Sequence, residues 1–92
     1  MIRSFRNEEL QRLWEDGKPL SHKTLIATNI LRLLDLIKGA SVPLDVAFYG
    51  IRFDSWTENG IERHGVMVSD HWLISFSWDA GDAVDVDLER LD

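Results

Sequence analysis

The sequence predicts an α+β domain, and two observations carry that reading. Apolar residues recur with a period of about 3.6 in the first half and about 2 in the second. Short turn signals at Asn59-Gly60, Ser69-Asp70 and Ala80-Gly81 divide the second half into strand-length pieces. In outline the order is β-α-α-β-β-β, with two N-terminal helices packed on one face of an antiparallel sheet. At 92 residues the chain fits a single domain, 1–92.

Met1–Arg6 reads as a short strand, with Ile2 and Phe5 as its apolar members. Asn7 is a suitable N-cap, and Glu8 and Glu9 suit the positive end of a helix. Leu10, Leu13 and Trp14 form one stripe and Gly17 is a natural stop, so the first helix spans Glu8–Asp16. Ser21 caps a second helix that ends at Gly39. Leu25, Ile26, Ile30, Leu33, Leu34 and Ile37 form its apolar face. Leu31 and Leu36 widen that face, either against the core or as a partner surface. Pro43 makes Ala40–Val46 a connector, because proline cannot continue a helix.

A strand follows around Ile51–Phe53, and Thr57–Glu62 reads as a turn or loop. Arg63–Ser69, His71–Trp78 and Ala83–Leu88 then complete the meander. Alternation puts Trp72, Ile74, Phe76 and Trp78 under the helices and His71, Leu73, Ser75 and Ser77 on the outer face. In the last strand Val84, Val86 and Leu88 point inward, and Asp85 and Asp87 outward. Trp14, Trp72 and Trp78 are expected in the core, whereas Trp56 is the tryptophan expected to be exposed.

The chain has no cysteine, which excludes a disulfide framework, a thiolate metal site and a thiol nucleophile. No apolar run approaches a membrane span, so no membrane partner is expected and the cytoplasm is the expected compartment. The net charge of −6 is unevenly placed. Residues 1–50 hold seven Lys/Arg and six Asp/Glu, whereas residues 51–92 hold three and ten. An acidic half of this kind repels phosphate backbones.

The candidates for chemistry in that half are few. His64 and His71 are possible general bases, and Arg52 and Arg63 possible phosphate ligands. The competing reading is that both histidines, one near a hairpin tip and one near a strand start, are ordinary solvated side chains. Asp85 and Asp87 with a histidine would resemble a carboxylate–imidazole metal site, but alternating aspartates on a strand more often serve solubility. Neither a metal nor a cofactor is assigned.

Several segments together resemble a known family. MIRSFRNEELQRLWEDGK, NILRLLDLIKGASVPLDV, the Arg52-Phe53 step, VMVSDHWLISFSW and DAGDAVDVDLE are similar in order and spacing to the HigB toxins. These belong to the RelE-like toxin superfamily and are also called plasmid maintenance system killer proteins. The resemblance covers essentially the whole chain. It implies a small RelE-like α+β domain and the toxin role of a type II toxin–antitoxin module. It also implies ribosome-dependent mRNA cleavage, an endoribonuclease (mRNA interferase) activity, and a helix-turn-helix antitoxin as partner.

The family's functional positions are replaced here. Leu73 stands where the family has the Arg of its Val-Asn-x-x-Trp-Arg-Ile run. Asp54 stands where a His often follows the Arg-Leu step, Thr57 and Ile61 replace the two loop lysines, and Asp92 replaces the C-terminal His. Attack by a 2′-hydroxyl needs a base, an acid and cations for the developing phosphorane charge. The resemblance therefore implies a weak or inactive catalytic site, and contact with ribosome and mRNA is opposed by the acidic half. The alternative function is a non-catalytic interaction protein on the same fold, binding an antitoxin-like or other protein.

Overall fold

In the computed structural model, which describes residues 1–21 and 27–91, Asn7 lies in extended backbone and its Oδ1 accepts the Leu10 N–H at 2.9 Å. This cap opens α1 (Glu8–Asp16), the span that the boundary residues predict. Gly17 closes it in left-handed backbone (φ 70°), its N–H reaching the last carbonyls. Helix α2 covers Ala27–Gly39. Ile30, Leu33, Leu34 and Ile37 recur at helical spacing and are all buried. Leu31 and Leu36 are partly buried against the same core. Leu25 and Ile26 lie outside the described residues, as does Asp92. Ser21 is described, and its hydroxyl donates to Glu9 Oε2 at 3.1 Å.

The connector after α2 is more ordered than expected. Pro43–Tyr49 forms a 3-10 helix with proline at its start, where a missing N–H costs nothing. Asp45 Oδ2 accepts the Ser41 and Val42 N–H groups at 2.9 and 3.2 Å, which folds the turn back on itself.

Four antiparallel strands follow in the order β1 (Phe53–Glu58), β2 (Ile61–Met67), β3 (Trp72–Asp79), β4 (Asp82–Arg90). The sheet has one strand more than the outline order counts. The first strand begins and ends later than expected, and the Thr57–Glu62 loop shrinks to Asn59-Gly60. Both turn residues have positive φ (53° and 79°), the geometry that lets two residues join twisted strands. Ala80-Gly81 closes the third hairpin in the same way, with φ 50° and 84°.

Met1–Arg6 is not a regular strand. It runs parallel to β4 through two isolated bridges, Ile2 to Ala83 and Phe5 to Val86. Opposite it, β4 carries a bulge: the register passes from Ser75–Asp87 to Ser77–Val84. Asp85 sits at this bulge with φ 51°, and its N–H is taken by Ser4 Oγ at 2.9 Å. The bulge changes the facing of β4. Ala83, Val86 and Leu88 join the core, while Val84, expected inward, falls opposite Ser77 on the other face.

The core lies between the helices and one face of the sheet. Leu10, Leu13, Ile30, Leu34 and Ile37 meet Val66, Ile74, Phe76, Ala83 and Val86 there. Among the described residues no helix lies on the opposite face, but that face is not simply solvated. Leu73 is only 8% exposed, and Ser75 and Ser77 are buried as well. Among the described residues no helix is long and apolar enough to cross a membrane.

A candidate binding cleft on the helix-free face

Gly65 is the only residue of β2 without a side chain, and that gap shapes the outer face. Trp56 on β1 pairs with Arg63, one diagonal step from Gly65. Its ring lies over Gly65 and reaches Leu73 on β3, so a Cβ at 65 would collide with both. Met67 completes the apolar floor of a cleft of about 550 Å³. The charged groups around it are Arg52 and Asp54 at the start of β1, Asp70 from the β2–β3 turn, and Glu89 near the end of β4. Three carboxylates thus face one guanidinium.

Glu89 is anchored from behind. Ser75 Oγ donates to Glu89 Oε2, and Arg63 Nη2 donates to Ser75 Oγ at 2.7 Å. Arg63 Nη1 donates to Ser77 Oγ at 3.2 Å and to the Asp85 carbonyl, freed by the bulge, at 2.9 Å. Arg63 is 1% exposed. Burial lowers its pKa, as does Arg6, while Glu89, Glu58 and Asp87 oppose the shift. Its Nε has no hydrogen-bond partner among the described residues. Arg6 lies beside this network, 3.5 Å from Glu58 and 3.9 Å from Asp87.

The four residues singled out for chemistry do not converge. Arg52 lines the cleft and is exposed. Arg63 is on the same face but sealed beneath it. His64 is on the opposite face, in the helix-covered core, stacked on Phe53 (centroids 5.8 Å apart) and beside Phe76 (5.5 Å). Its Nδ1 is 2.8 Å from Ser55 Oγ, and its Nε2 is 3.3 Å from Glu62. Burial holds this imidazole below its usual pKa; Glu62 raises it and Arg63 lowers it further. His71 is exposed in the β2–β3 turn, where its carbonyl accepts the Leu91 N–H at 2.8 Å. Thr57 and Ile61 are exposed near the Asn59-Gly60 turn, and Asp54 lines the cleft. Among the described residues no group of three His, Asp or Glu side chains is placed to hold a metal ion.

Trp56 is half-buried in the cleft and not free in a loop. Trp14 and Trp78 pack on the core, and Arg90 lies over Trp72 at 5.7 Å. Glu89, Gly65 and Met67 were missed as site residues. Two signals in the sequence pointed to them. Glu89 continues the alternation of Asp85 and Asp87, and an isolated glycine within a strand pattern marks a close approach.

Fold and cleft together describe an α+β domain with a candidate cleft on the sheet face opposite the core. The sequence matches no family model, and no curated protein matches it.

Proposed function

We propose that this chain is a HigB/RelE-like relative from a toxin–antitoxin module that works in the cytoplasm as a non-catalytic interaction protein. The supporting observation is the cleft floor. Leu73, the residue at the position of the family's arginine, is buried there beside Gly65 and Trp56, and the charged groups of the lining are mostly carboxylates. A site for phosphodiester cleavage must stabilise added negative charge, and loss of one such donor typically costs about a hundred- to a thousandfold in rate. Among the described residues the only cation lining the cleft is Arg52. Neither of the two described histidines offers a base beside it: His64 is behind the sheet, and His71 is not part of the lining. The partner in this reading is a protein, such as a helix-turn-helix antitoxin.

The test is cleavage of mRNA on programmed ribosomes, read by primer extension. The expected result is no cut above the ribosome-only background. Site-specific cleavage that depends on Arg52 or His71 would overturn the proposal and restore the mRNA interferase reading.

A further inference from the structure

Three traits of the cleft specify a ligand chemistry. Its floor is apolar, with the Trp56 ring laid over Gly65 against Leu73. Its charged lining is net acidic, and among the described residues neither Asp54 nor Asp70 has a cation within 4.0 Å. Glu89 is held in place by the Ser75 hydroxyl, which is itself fixed by the buried Arg63. A fixed carboxylate beside an aromatic floor suits a long cationic side chain. Methylenes cover the ring, and the cationic head meets the ring face and the carboxylate. A phosphodiester or an acidic segment would meet three carboxylates instead.

Resting on the reading that the cleft binds a protein partner, we infer that its occupant is a basic segment of that partner. An arginine or lysine side chain of the segment lies across Trp56, with its head toward Glu89 and Asp54.

The experiment titrates the full ¹⁵N-labelled chain with two capped peptides, Gly-Leu-Arg-Leu-Arg-Gly and the version with both arginines changed to Glu. The Arg peptide is expected to shift the Trp56 indole N–H and the Gly65 amide saturably, and the Glu peptide is not. Glu89→Gln should weaken the Arg peptide by about tenfold, the size of one lost charge-assisted bond. Because Glu89 is tied into the buried network, Asp54→Asn serves as a second, exposed variant and should also weaken binding. No saturable shift at millimolar peptide, equal shifts with both peptides, or tighter binding of an RNA oligonucleotide at the same amides would overturn the inference. If these occur while mRNA stays intact, only the identity of the occupant fails. If mRNA is cleaved, the underlying functional reading fails.

Discussion

The indole of Trp56 occupies the volume that a side chain at Gly65 would need. A Cβ on Gly65 would lie 2.9 Å from Trp56 Cζ3 and 2.8 Å from Leu73 Cδ1. Gly65→Ala should therefore force the ring or Leu73 out of place and destabilise the fold by about 1–3 kcal/mol, as overpacking does. Urea denaturation followed by tryptophan fluorescence measures this. The loss should shrink when Trp56 is changed to Leu in the same chain; simple additivity would show that the ring is not the obstacle.

Arg63 serves four groups at once. Arg63→Met should cost about 3–5 kcal/mol, because it leaves Ser75, Ser77 and the Asp85 carbonyl without donors and Glu89 without a nearby cation. The double change Arg63→Met, Ser77→Ala should cost less than Arg63→Met alone, since it removes the hydroxyl that loses its donor, whereas Ser75 still donates to Glu89. Arg63→Lys should fall between, because an ammonium cannot reproduce the planar fork. Midpoints of urea unfolding at neutral pH rank the three.

His64 makes stability depend on pH. Burial holds its pKa in the folded chain below the unfolded value of about 6.5. Its contribution is complete above pH ~6.5 and declines as the pH falls, because only the unfolded chain then takes up the proton readily. The slope approaches about 1.4 kcal/mol per pH unit while the folded imidazole stays neutral. His64→Phe keeps the stack with Phe53 and Phe76 and should flatten this acid limb. An unchanged slope between pH 7.5 and 5.5 (about one unit either side of the free imidazole value) would assign the limb to other groups.

Helix α1 depends on its cap. Asn7→Ala removes the oxygen that holds the Leu10 N–H and should cost about 1 kcal/mol. Asn7→Asp should be near neutral, and thermal melts compare the two.

Among the described tight-turn residues with positive φ, Ala80 is the one poorly suited to its backbone. At φ 50° an alanine carries about 1–2 kcal/mol of strain that glycine lacks. Ala80→Gly should raise the melting temperature despite the added freedom of the unfolded chain, and a lower value would show that the hairpin does not hold this conformation.

The features legible in the sequence are those set by neighbours along the chain. Asn7, Leu10, Leu13 and Gly17 lie within one short helix, so its ends and its buried face follow from spacing alone. The tight turns at Asn59-Gly60 and Ala80-Gly81 are equally local. The outer face of the sheet was not legible, because it depends on contacts between distant residues. The bulge at Asp85 is held by Ser4, 81 positions away, and its freed carbonyl is filled by Arg63. That long-range contact turns Val84 outward and gives an arginine a buried seat that alternation assigns to solvent. The burial of Leu73 is illegible for a similar reason: it shares the space over Gly65 of β2 with Trp56 of β1, a meeting of three strands.

The run of Met1–Arg6 along β4 has a further consequence, for self-association. Exposed strand edges are where sheets join one another. The β4 edge is already occupied by Ile2 and Phe5, whereas among the described residues no strand lies beside β1. The outward N–H and C=O groups of Ala83 and Val86 are already bonded within the chain by Met1, Arg3, Ser4 and Arg6, so undocking the first six residues would free a second place for strand addition beside β1.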